Sequence, residues 1–207
     1  TPATHDIVIH IDGTNDDPSI TAGDVTGDIS EAGTLSDSGS ITFNDVDLTN
    51  RPEASKATHS ISALRSDGST SFDLTQDQLT DLANAFSITT ADGATNSGTV
   101  NWDYSILESQ LDFLAANETV SAVFDIVVTD NELRTATQQV TVNITGANDA
   151  PVITASNDNI TGSITEGSSL SDSGSISFAD SDLSNRPTAT EDTKSVSALR
   201  ADGVTQL

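Results

Sequence analysis

One stretch of this chain is written almost twice. SDSGSITFNDVDL at 36–48 returns as SDSGSISFADSDL at 171–183. TNRP at 49–52 returns as SNRP at 184–187, and SISALRSDG at 60–68 as SVSALRADG at 195–203. NDDP at 15–18 and NDAP at 148–151 stand 133 positions apart; after a two-residue insertion near 156–160, Glu31 and Glu166 stand 135 apart. A unit of that length is of ordinary domain size. The chain must therefore build one domain and begin it again. Residues 15–147 hold a complete unit. Residues 1–14 are expected to be the last strand of an upstream unit, because HDIVIHIDGTND aligns with QQVTVNITGAND. Residues 148–207 hold the N-terminal part of a second repeat. On this reading the chain is a window on a tandem array.

Inside the full unit the apolar residues alternate. Val120, Ala122, Phe124, Ile126 and Val128 fall on one side of residues 119–129, and Val140, Val142 and Ile144 on one side of 137–145. A period of two makes strands with one buried face. Residues 40–43, 58–64 and 98–106 also read as strands, being rich in β-branched and aromatic side chains. Asp-Gly pairs at 67–68, 92–93 and 202–203 mark turns. Two stretches change period. LTQDQLTDLANAF (74–86) has helical spacing and a capping box from Thr75 and Gln78, and ILESQLDFLAAN (106–117) repeats the helical spacing through Leu107, Leu111 and Leu114. The predicted fold is all-β, a sandwich of antiparallel sheets with one or two short connecting helices. Trp102, mid-strand among apolar residues, is expected in the core.

Charge narrows the function. The formal net charge is −25, with 32 acidic and 7 basic side chains. Nucleic acid and anionic membranes both need clustered Lys and Arg, so neither is an expected partner. No apolar run is long enough to cross a bilayer. There is no cysteine, hence no disulfide and no thiolate chemistry. The positions of the acids then matter. In a sandwich whose last strand runs down, the strand turns gather Asn15, Asp16, Asp45, Asp47 and Asp130 at the upper end, with Asp12 nearby. Glu31, Glu118, Asn148 and Asp149 gather at the lower end, where the following unit adds Asp180 and Asp182. Carboxylates brought together without cations repel one another. Six to eight oxygens are what Ca²⁺ takes, whereas Mg²⁺ keeps more water. The expectation is that Ca²⁺ locks each NDxP linker; the bland alternative is a solvated acidic rim.

These residues also carry a family resemblance. ITGANDAPVI at 144–153, the W-x-Y of 102–104, FLAANETVSAVFDIVVTD at 113–130 and TVNITG at 141–146 resemble the VCBS repeat. The resemblance implies a cadherin-like or immunoglobulin-like sandwich, repeated in tandem in very large RTX-type adhesins. It also implies secretion to a Gram-negative bacterial surface and a part in adhesion or biofilm. The linker is similar to the cadherin DxND arrangement, which would make Glu31, Glu118, Asp149, Asp180 and Asp182 the equivalents of calcium ligands. The chain departs from the family pattern in DGTNDDP and TGANDAP, where GTNDAP is usual, and in Asn117, where Gly usually precedes the Glu of GET.

Catalysis finds no motif. His5, His10 and His59 sit in no triad or metal pattern, and no G-x-S-x-G, P-loop or dinucleotide fingerprint is present. DVDLTN at 45–50 begins like an EF-hand loop, but Asn50 replaces its Gly and Lys56 its Glu. Three readings follow. The first is a non-enzymatic calcium-stiffened extender whose partners are neighbouring repeats. The second is a glycan- or protein-binding module using loop 66–73 or 91–98, with Phe72 and Tyr104 as its aromatics. The third is an accessory domain of a secreted hydrolase. The strand at 5–12 and the half-unit at 149–207 are further expected to be able to complement one another between molecules.

Overall fold

The computed structural model describes residues 2–21, 23–91, 95–154, 159–201 and 203. The chain divides into two compact units, Thr1–Asp149 and Ala150–Leu207.

The first unit is a two-sheet sandwich. One sheet has the strand order β1 (Ser19–Thr21), β3 (Ser36–Asn44), β7 (Ser97–Ser105), β6 (Phe86–Ala91). The other has the order β2 (Thr26–Ser30), β9 (Thr135–Thr145), β8 (Thr119–Thr129), β4 (Glu53–Leu64), β5 (Ser71–Phe72). Pairing is antiparallel throughout except between β2 and β9, which run parallel with Ile29 opposite Ile144. The alternation in β8 and β9 is realised as a strict in–out pattern, and Val120 to Val128 and Val140 to Ile144 line the core. Helix α1 (Gln76–Asn84) carries the capping box of Thr75 and Gln78 and buries Leu82.

Three of the expected elements differ. The single strand expected near 19–29 is split: β1 belongs to one sheet and β2 to the other. The crossing is held by Asp24, whose N–H donates to the Ser40 carbonyl at 3.0 Å and whose carbonyl accepts the Trp102 indole N–H at 2.7 Å. The helix expected over 106–117 shrinks to one 3₁₀ turn, Glu108–Gln110. Phe113, Leu114 and Ala115 are all buried, and three consecutive residues cannot share one helical stripe. They plug the end of the sandwich instead. The strand expected at 5–12 is absent; residues 2–18 form no regular element, because no sheet edge meets them. The turn expected at 92–93 and Asp202 of the turn at 202–203 lie outside the described residues.

Trp102 sits at the centre of the core. It is 1 % exposed and stacks near Phe86 at 6.1 Å, which in turn lies flat on Phe124 at 4.1 Å. Two glycines make room for it. A Cβ on Gly39 would come within 2.7 Å of the indole, and one on Gly27 within 3.2 Å of the indole and 3.4 Å of Val142.

The second unit restarts the same pattern. β10 (Val152–Ile153) pairs with β11 (Phe178–Ala179), Ile153 opposite Phe178, as Ile20 stands opposite Phe43 in the first unit. The bracket made by Asp37, which accepts the N–H groups of Asp28 and Ser38 at 2.9 and 2.8 Å, recurs at Asp172 with Ser163 and Ser173 at 2.6 and 2.8 Å.

The glycine cradle predicts that Gly39→Val lowers unfolding stability by roughly 1–3 kcal/mol through overpacking. Gly13→Val, whose Cβ would meet nothing within 4 Å, should leave stability unchanged. Urea unfolding followed by Trp102 fluorescence reads both.

Candidate functional site

The first unit carries one group of acids and amides at each end, and the two ends are wired differently. At the upper end the linker is tied down by amides. The Asn15 side-chain amide donates to Asp130 Oδ2 at 2.7 Å, Asn50 donates to Asn15 Oδ1 at 2.9 Å and to Asp45 Oδ2 at 3.4 Å, and the Asp16 N–H reaches Asp47 Oδ2 at 2.9 Å. Asp45 also closes its own loop, accepting the Asp47 N–H at 2.8 Å, and is fully buried. Asp130 closes the β8–β9 hairpin through the N–H groups of Glu132 and Arg134 at 2.9 and 2.7 Å. Burial alone would raise the Asp130 pKa; the Asn15 amide and the two hairpin N–H groups outweigh it and hold the carboxyl below its usual range. Asp12, further up the chain, is exposed.

At the lower end Glu31, Asp112 and Asp149 converge. Each offers a carboxylate oxygen, and the three lie within 4.8 Å of one another. Among the described residues this is the one such group. Glu31 is placed by the β2–β9 pairing: its N–H donates to Thr145 O at 3.1 Å and its Oε2 accepts the Ala147 N–H at 2.6 Å. Asp149 belongs to the linker itself, where the Asn148 amide donates to the Asp149 carbonyl at 2.6 Å. Asp112 comes from the plug that the sequence pattern presented as helix, which hid it as a site residue.

Glu118 is placed otherwise. It is 1 % exposed and pairs with Arg65 at 2.9 Å, its second oxygen accepting the Ala115 N–H at 3.1 Å. The guanidinium also lies 4.2 Å above the Phe72 ring. Glu118 therefore has a resident cation from the chain itself, supplied 53 residues away in sequence. Arg65 sits in SALRSDG, and nothing in that motif names its partner.

In the second unit Asp180 and Asp182 repeat the loop chemistry of Asp45 and Asp47. Asp180 Oδ1 accepts the Asp182 N–H at 3.1 Å, and Asp182, buried, accepts the Asn185 amide at 2.6 Å. Of the aromatics considered for ligand stacking, Tyr104 is fully buried with its hydroxyl on the Leu82 carbonyl at 3.2 Å, and Phe72 lies under Arg65. Burial pushes the Tyr104 phenol far above its ordinary pKa.

No protein-family model matches the chain, and no curated protein matches it. Among solved structures it is similar to the PapD-like domain 7 of human CEP192, with a TM-score of 0.40 and 10% identity over 70% of this chain and 96% of that one. It is also similar to the extracellular domain of protocadherin GammaB4, with a TM-score of 0.31 and 13% identity over 70% of this chain and 19% of that one. For the VesB protease of Vibrio cholerae the TM-score is 0.29 and the identity 10%, over 62% and 32%.

Two outcomes are expected from this wiring. Arg65→Met strands a buried carboxylate and should cost about 3–5 kcal/mol, while Arg65→Met with Glu118→Met should recover most of it; urea unfolding of the cycle decides. Asp130 titrates lower folded than unfolded, so its stabilisation is complete above about pH 4, the unfolded value, and is lost as pH falls through the folded one. Asp130→Ala should therefore show a shallower loss of stability below about pH 4 than the wild type in thermal melts across pH.

Proposed function

We propose that this chain is a calcium-stiffened extender: a non-enzymatic spacer from a large bacterial cell-surface adhesin, whose partners are neighbouring repeats of the same chain. The observation that carries the reading is the convergence of Glu31, Asp112 and the linker residue Asp149. Two oxygens each about 2.4 Å from one ion can stand at most about 4.8 Å apart, and this group meets that limit. The donor set is all oxygen, as a hard cation requires. Mg²⁺, at about 2.0–2.1 Å, would need them nearer together and prefers to keep its water.

An ion bound there would join the end of β2, the plug and the linker. Its work would be mechanical. A bound dication turns the mutual repulsion of three carboxylates into attraction and removes freedom from the chain as it leaves the sandwich. The net charge of −25 suits a surface held in solution and apart from its neighbours. The duplicated loops of the second unit support an array of such modules, and the resemblance to VCBS repeats supplies the adhesin and the extracellular bacterial setting.

With a binding constant on the order of 10⁻⁴ M, about 10 mM Ca²⁺ should stabilise the folded chain by about 2.7 kcal/mol per site. Glu31→Gln with Asp112→Asn should abolish the rise in melting temperature. An equal response in wild type and variant, or none in either by calorimetry and direct binding, would remove the reading.

A further inference from the structure

The sheets of the first unit end in open edges, and the edges are not alike. On β2 the N–H groups of Thr26, Asp28 and Ser30 turn away from β9. They donate instead to Asp24 Oδ1 at 3.4 Å, Asp37 Oδ2 at 2.9 Å and the Thr34 carbonyl at 2.9 Å. β1 is only three residues long. β4 pairs with β5 at Ala63 and Leu64 alone; the rest of its edge carries Glu53, Lys56 and His59 and is broken by a bulge between Thr58 and Ser60. Local caps, short strands, charges and bulges are what keep a sheet edge from pairing with another chain.

β6 has none of these. Its residues, FSITTA at 86–91, hold no charge and no proline, and Ile88, Thr89 and Thr90 are three β-branched side chains in a row. It pairs with β7 on one side only. The Ser105 N–H donates to the Ala85 carbonyl at 3.0 Å, and Phe86 stands opposite Tyr104. Antiparallel alternation then turns the N–H and C=O groups of Ser87 and Thr89 toward β7 and those of Phe86, Ile88 and Thr90 outward. The Phe86 carbonyl accepts the Lys56 ammonium. The outward groups of Ile88 and Thr90 bond to no described residue.

We propose that β6 of one molecule pairs antiparallel with β6 of a second copy, about a two-fold axis at Thr89, so that two four-stranded sheets become one. Ile88 then stands opposite the second copy's Thr90, and Thr90 opposite its Ile88. Each copy donates two N–H groups and accepts two. Thr89 meets its own counterpart on the outer side, where β-branched cross-strand pairs add to the ladder. Lys56 sets this register: a shift that put Ile88 against Ile88 would need the Phe86 carbonyl, which is already engaged. The occupant is a second copy because the edge asks for an uncharged strand with unused N–H and C=O groups at alternate residues, and β6 is itself such a strand. The two-fold satisfies both edges at once and closes the assembly. The contact is small, and chains with a net charge of −25 repel one another. The dimer is therefore weak and tightens as salt screens the repulsion. It lies within the complete unit, joins chains side by side and does not depend on calcium.

Sedimentation velocity of the 207-residue chain from about 5 to about 500 µM, in about 0.15 and about 0.5 M NaCl, reads the contact. The wild type should pass reversibly from monomer to dimer, stop there, and dimerise at lower concentration in the higher salt. Thr90→Pro removes an outward N–H while sparing the β6–β7 ladder, and should stay monomeric. Thr89→Lys and Thr89→Glu each set like charges across the axis and should be monomeric alone, while their equimolar mixture should dimerise. Should the proline variant melt below the wild type, the Thr89 pair reads the same contact without touching the ladder. A wild type that stays monomeric throughout, association that passes beyond dimers or survives in Thr90→Pro, or a Thr89 mixture that stays monomeric would overturn the proposal.

Discussion

The parallel pairing of β2 with β9 is the constraint on which the rest of the first unit depends. It brings a strand from the start of the unit beside one from its end, with Ser30 opposite Thr145. The next residue on each strand is thereby fixed. Glu31 hydrogen-bonds the backbone of Thr145 and Ala147, and the linker must leave the sandwich beside a carboxylate. Just past the paired residues, Gly146 meets the plug. At Gly146 a Cβ would come within 2.5 Å of Leu114 and 2.7 Å of the Ala115 carbonyl, so the exit of β9 and the plug carrying Asp112 are in direct contact. The acidic convergence at the lower end is thus a consequence of sheet topology, not of local composition.

A chain with 32 acids and 7 bases cannot pair most of its carboxylates with Lys or Arg, and the first unit uses its backbone and amides for many of them. Asp45, Asp67 and Asp130 each accept backbone N–H groups of their own turns, and Asp37 on β3 accepts those of Ser38 beside it and Asp28 on β2. Asn15 and Asn50 bridge acids that would otherwise face one another. Arg65 is spent on Glu118, the acid buried most deeply behind the plug. Each solution suits its site: a turn offers N–H donors, a linker offers amides, and Arg65 brings a whole positive charge to the buried Glu118.

The sequence made the sandwich legible through its period-two runs, and α1 through a capping box that the structure reproduces at Thr75 and Gln78. These signals are local, so they survive without tertiary knowledge. The plug was misread because Leu107, Leu111 and Leu114 have helical spacing, yet Leu107 is 67 % exposed and the burial is carried by Phe113, Leu114 and Ala115. Asp112 was lost with it. The pairing of Glu118 with Arg65 was illegible for another reason: it joins the start of β8 to the end of β4, and only strand register sets that meeting. Asn50, buried between Asp45 and Asn15, could have been found from the recurrence of Asn-Arg-Pro at 50–52 and 185–187.

The two units together separate what recurrence means from what it does not. Asp45 with Asp47 and Asp180 with Asp182 close the same loop by the same hydrogen bonds, and Arg51 and Arg186 cap it through the same carbonyls. Those residues return because the loop needs them, so their return by itself argues for a turn and not for an ion. Glu31, Asp112 and Asp149 stand on different ground. They come from three separate parts of the chain: Glu31 just after β2, Asp112 from the plug and Asp149 from the linker. A carboxylate that caps a turn explains itself locally. Three that meet from distant parts of a chain repel one another across the tertiary fold, and that meeting, rather than duplication, is what the proposed cation would answer.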